Sequence, residues 1–156
     1  MTPTYDQMGN WLEEIAAEFP DAFFEDLDGG IQLDREAVPD ENFPDGQMYV
    51  LGEYRHNMLG RYIVLYYGSF VKLYHDYDEE EWQEEIFATV AHEFTHHMED
   101  TAGLHALDDK DAEFLEWALE EYGDAEEHHN SWSRFVRAIA GISSRSRRIN
   151  RRMNRG

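Results

Sequence analysis

Apolar side chains at Met8, Trp11, Leu12, Ile15, Ala16 and Phe19 recur at three- and four-residue intervals, which places them on one side of a helix, and Pro20 blocks its continuation. An amphipathic helix over residues 5–19 is predicted. After the aromatic pair Phe23-Phe24, Gly29-Gly30 turns the chain into Ile31-Gln32-Leu33-Asp34, which alternates as a strand does. Residues 36–46, with Pro39, Pro44 and many acids, read as a solvated loop. Between Met48 and Tyr74 the composition turns to β-branched, aromatic and leucine residues. Residues 49–51, 62–67 and 70–74 predict two or three strands, separated near His56-Asn57 and Gly68-Ser69.

Asp78 has the start signals of a long helix: Asp is a good N-cap, Glu81 stands three residues later, and the acids of the first turn suit the positive end of the helix dipole. Trp82, Ile86, Val90, Phe94 and His97 continue at helical spacing, and Gly103 is a plausible stop. A further helix is predicted to begin near Asp109 to Asp111 and to carry Phe114, Leu115, Ala118, Leu119 and Tyr122. Trp132, Phe135, Val136 and Ile139 then form a short apolar stripe. The pattern divides the chain into a main domain over 1–123, a short C-terminal helix within 124–142 and an Arg-rich tail, 143–156, with too little to bury and so expected to be disordered. Strands followed by helices make the fold class α+β.

The 156 residues suffice for one domain, and 42% hydrophobic content gives it a core despite a net charge of −21. That charge is unevenly spread. Residues 1–133 hold all 34 acids and five bases, whereas residues 134–156 hold eight arginines and no acid. The body should repel nucleic acid and anionic membrane, while the tail can attract RNA or anionic membrane or fold back onto the acidic body. Cysteine is absent, which excludes disulfides, thiolate metal sites and thiol nucleophiles, so any metal must be held by histidines and carboxylates. No apolar run is long enough to span a membrane, and the start, Met-Thr-Pro-Thr-Tyr-Asp, lacks the features of a signal peptide, so a cytoplasmic protein is expected.

The candidate chemistry lies in the long helix. His92-Glu93-Phe94-Thr95-His96 is a His-Glu-x-x-His motif; its two histidines stand about 40° apart around the axis and one turn apart along it, so both can reach one ion. Glu93 stands where its carboxylate can take a proton from water attacking a carbonyl carbon, while a metal ion lowers the pKa of that water and polarises the carbonyl.

With Leu51-Gly52-Glu53-Tyr54, the strand Gly60–Gly68 and His92-Glu93-Phe94-Thr95-His96-His97, the chain resembles the minimal zincin-like metallopeptidases, a bacterial family, over about residues 5–122. The resemblance implies a minimal zincin fold, with a small mixed sheet packed on the helix that bears the motif, and a Zn²⁺ peptidase activity that is mostly inferred within the family. Many family members continue His-His-x-Gly-x-x-Asp, but here Glu99 and Ala102 occupy the Gly and Asp positions. If residues 99–110 are an insertion, the family's Asp-x-x-Leu falls approximately on Asp111 to Leu115, making Asp111 the third-ligand candidate. A different zincin arrangement places a glutamate on the next helix, as at Glu116, and Glu99 and Asp100 are nearer alternatives.

His97 points about 100° away from His96 and reads as a packed or supporting histidine. His105 could line the site but reads as a loop residue, and the adjacent His128 and His129 should point apart. Tyr66 and Tyr67 fall in the strand that zincins run beside the active-site helix, where core packing outweighs a role at an oxyanion. The leading reading is a zinc metallopeptidase with His92 and His96 as ligands and Glu93 as general base, acting on a peptide or protein that adds to the sheet edge, with basic peptides favoured by the acidic surface. The alternative is a non-catalytic binding protein of zincin fold, its metal absent or structural.

Overall fold

In the computed structural model, residues 1–41, 48–102 and 109–122 are described. Helix α1 (Tyr5–Ala16) begins at a reciprocal cap: the Thr4 hydroxyl accepts from the Gln7 N–H at 3.1 Å, and the Gln7 side chain accepts from the Thr4 N–H at 2.8 Å. Its predicted stripe buries Met8, Trp11, Leu12 and Ile15. A short 3-10 turn over Asp21–Phe24 then leads to the first sheet.

That sheet has three strands in the order β1 (Ile31–Asp34), β5 (Gly60–Tyr66), β4 (Gly52–Asn57). Central β5 runs parallel to β1 and antiparallel to β4. Two residue pairs, β2 (Val38–Pro39) with β3 (Tyr49–Val50), form a small second sheet. The segment read as a loop thus contributes β2, too short to show an alternation, while its residues 42–47 lie outside the described residues. The break expected near His56-Asn57 falls just after it. β4 continues through both residues and turns at Met58-Leu59 into Gly60, whose φ of +117° needs a glycine.

The third predicted strand is a helix. α2 (Tyr67–Tyr74) follows β5 directly. Aromatic and β-branched content suggested a strand, but Tyr67, Phe70, Val71 and Tyr74 also repeat at helical spacing, and tertiary packing decides the case by burying Phe70 and Tyr74 against Trp82.

Helix α3 (Glu79–Asp100) starts as predicted, with Asp78 and Glu81 in a reciprocal cap. It is buried nearly all round its middle: Trp82, Ile86, Val90, Ala91 and Phe94 have no exposure, because α1, α4 (Asp109–Tyr122) and the sheet cover different sides of it. Phe19 joins these layers, its ring centroid 4.9 Å from Phe87, 5.0 Å from Phe94 and 5.2 Å from Phe114. α3 ends at Asp100, with Thr101 as its C-cap; the proposed stop at Gly103 lies outside the described residues, as do His105, His128, His129, the expected helix within 124–142 and the Arg-rich tail. Among the described residues no helix is long and apolar enough to cross a membrane.

Candidate metal centre

Strand register determines which groups face α3. Tyr66 N–H donates to the Leu51 carbonyl, so Leu51, Glu53 and Arg55 turn their main-chain groups toward β5, and those of Gly52, Tyr54 and His56 face the free edge of the sheet. This edge runs beside α3 at very close range. A Cβ on Gly52 would stand 2.9 Å from Thr89 Cγ2 and 3.6 Å from Glu93 Cγ, so a glycine is what lets strand and helix approach one turn before the motif. Between them lies a groove of about 920 Å³, bordered by Gly52, Tyr54 and His56 on the strand side and by Thr89, His92, Glu93 and His96 on the helix side.

Within the groove His92 Nε2 and His96 Nε2 are 3.2 Å apart, and both rings are half-buried. Two nitrogens bound at ~2.0–2.1 Å to one tetrahedral ion stand about 3.3–3.4 Å apart, so the imidazoles are spaced as a ligand pair. Ligand atoms of His92, Glu93 and His96 all lie within 4.8 Å of one another, and this is the group among the described residues able to hold a metal ion.

Glu93 is 5% exposed. Burial first, and the charge of Glu53 second, push its carboxyl up to about 8, against the opposing hydrogen bond from the Tyr54 main chain. Without a metal ion Glu93 is therefore largely protonated at neutral pH, and a dication between the histidines would favour its carboxylate.

The second histidine of the doubled pair does separate work. His97 is 1% exposed and points away from the groove, its Nε2 2.7 Å from the Glu25 carbonyl and its Nδ1 3.1 Å from the Tyr54 hydroxyl. Burial lowers its pKa and keeps it neutral, so its proton sits on Nε2, where the carbonyl can accept it. The single Tyr54 hydroxyl proton has two acceptors within reach, His97 Nδ1 and the Asp100 carboxylate at 2.7 Å. Asp100 also accepts from Arg61 at 2.9 Å and lies 3.3 Å from His56 Nδ1. The Tyr54 hydrogen bond first, and Arg61 next among the charged partners, hold its carboxyl below the usual range. Tyr54 thus joins both sides of the site, its ring fastened to the end of α3 and its main-chain N–H on the Glu93 carboxyl.

The remaining predicted residues fall elsewhere. Glu99 and Asp100 border the groove, whereas Asp111, half-buried in the first turn of α4, and Glu116, buried further along it, are not among its bordering residues. Tyr66 is buried on the opposite face of β5, and Tyr67 begins α2 and donates to the Pro3 carbonyl at 2.6 Å. The roles of Glu53, Tyr54 and His56 were not identified from sequence. The family-like stretch Leu51–Tyr54 and the alternation of Gly52, Tyr54 and His56 along one strand face were the signals the sequence offered for them.

A buried glutamate between two helical histidines, beneath the edge strand of a small mixed sheet, is a group that could hold a metal ion. The chain belongs to the zincin-like metallopeptidase family, whose model matches residues 34–117. Among solved structures it resembles a conserved hypothetical protein from T. thermophilus, with 31% identity and a TM-score of 0.58 over 65% of this chain and 100% of that one. No curated protein matches the chain significantly.

Proposed function

We propose that the protein is a zinc-dependent peptidase in which His92 and His96 hold the ion and Glu93 is the general base. The observation that carries this reading is the 3.2 Å separation of the two Nε2 atoms beside a buried glutamate in a groove open to an edge strand. Bound zinc would supply Lewis acidity, polarising the scissile carbonyl and lowering the pKa of water. Glu93 accepts the proton of the attacking water and passes it to the departing amide nitrogen, and the Tyr54 N–H keeps its carboxylate aimed. A peptide extended along β4 finds main-chain partners at Gly52 and His56.

The test is paired. Zinc should bind with one ion per chain and be lost in His96→Ala, while Glu93→Gln should keep the ion and abolish zinc-dependent cleavage of a broad peptide library. A chain with both histidines intact that takes up no zinc at neutral pH would refute the metal assignment. The second reading, a binding protein with a structural ion or none, is favoured by one observation: once Glu93 serves as base, the histidine pair has no third protein ligand within its own group. Zinc affinities of Glu99→Ala, Asp100→Ala, Asp111→Ala and Glu116→Ala identify that ligand as the residue whose loss weakens binding at least ~10-fold. Intact zinc binding with no cleavage in the library would favour the second reading.

A further inference from the structure

The groove holds more carboxylates than hydrolysis uses. Asp40 and Glu85 border it at one end, Glu99 and Asp100 at the other, and among the described residues no lysine or arginine borders it. On α3, Glu85 and Glu99 each lie seven residues from His92, so all three fall on one stripe of the helix within about 40°, with His92 midway. The two glutamates are about 21 Å apart along the axis, the span of roughly six residues of extended chain. Asp100 is already engaged by Arg61, His56 and Tyr54, which leaves the exposed Glu99 as the outward carboxylate of its end. Toward the other end Val50, Leu73 and Ala88 make the groove wall apolar.

We propose that this groove selects an extended peptide bearing two lysine or arginine residues six positions apart, on one face of the extended chain, one basic side chain meeting Glu99 and the other Glu85 and Asp40. The proposal rests on the peptidase reading for its choice of a peptide along β4, and it names the substrate class of that site. The two glutamates stand on either side of the ion-binding position, so both charges of the peptide are counted outward from the bond to be cut. Because the Debye length is ~10 Å at 0.1 M salt, a carboxylate seven helical residues away contributes little unless the basic group reaches it, and the spacing of the two charges becomes the selective feature.

The experiment measures binding by fluorescence anisotropy, with the full chain, metal-free and zinc-loaded, at ~0.1 M salt. Labelled nine-residue peptides of otherwise neutral composition carry arginine at positions 2 and 8, arginine at positions 5 and 6, or glutamine at positions 2 and 8; the six-residue separation covers about 21 Å and keeps both side chains on one face of the extended chain. The widely spaced pair should bind at least ~10-fold tighter than the glutamine peptide and clearly tighter than the adjacent pair. Glu85→Gln and Glu99→Gln should each weaken it ~3- to 10-fold, while Glu14→Gln, on the exposed side of α1, should leave it unchanged. Equal binding of the two arginine spacings, or an equal loss in Glu14→Gln, would reduce the effect to general attraction by an acidic body and overturn the proposal. A chain whose eight arginines in 134–156 are replaced by serine, if it bound the peptide far more tightly, would reassign the groove to that segment and overturn the substrate assignment. Selective binding without cleavage in the zinc-loaded chain would remove the peptidase reading and leave the groove's charge selectivity standing.

Discussion

Glu93 is buried, and burial makes its charge costly in the metal-free fold. Its carboxyl titrates near 8 in the metal-free fold against 4.5 ordinarily, so the protonated form is favoured by folding. The folded value is raised, so this stabilisation is complete below about pH 4.5 and is lost as pH rises through about 8. In metal-free protein the stability of the parent chain relative to Glu93→Gln should therefore fall across that window, by on the order of 5 kcal/mol, in urea unfolding at a series of pH values. Tyr54 makes a second prediction. Tyr54→Phe keeps the main-chain N–H on Glu93 but leaves buried His97 Nδ1 without its partner, which should cost roughly 1–2 kcal/mol in the same assay while zinc stoichiometry is retained. The histidine pair and Glu93 were legible in the sequence because helical spacing alone brings them together. Tyr54 was not, because it meets His97 across 43 positions and nothing local marks the partnership.

Strand β4 and helix α3 form the site only if they approach closely, and Gly52 sets that distance. Gly52→Ala would drive a methyl group against Thr89 Cγ2 and the Val64 carbonyl. It should lower stability by about 1–3 kcal/mol and weaken zinc binding, with Thr89→Ser restoring part of both, as thermal melts and zinc titrations can show. α3 was readable from its start through its motif because its cap, its apolar spacing and its motif all agreed. α2 was misread because aromatic residues suit either period over eight positions, and packing on Trp82 decides between them. The third ligand stayed ambiguous for a compositional reason: with 34 acids in the chain, a carboxylate falls near any register that is tried.

At the scale of the whole molecule, the two histidines proposed as ligands come from one helix, while the groove that surrounds them needs the sheet as well. If the proposed ion binds the folded chain only, it adds to the stability of the whole fold. Zinc at ~100 times its Kd should stabilise the protein by ~2.7 kcal/mol, seen as a rise in Tm that His96→Ala abolishes. The hydrogen bond from the Tyr54 N–H to Glu93 has a consequence of another kind. An open sheet edge with a continuous row of donors and acceptors invites the same strand of another molecule to pair with it, and proteins that keep such an edge are prone to aggregate. Here the middle donor of that row is taken by a side chain of the chain's own helix, and the ends are flanked by carboxylates that repel an equally acidic copy. On the proposed reading the strand is open to a peptide of opposite charge and closed to its own kind, so neutralising Glu85 and Glu99 should cost the protein solubility at high concentration as well as selectivity.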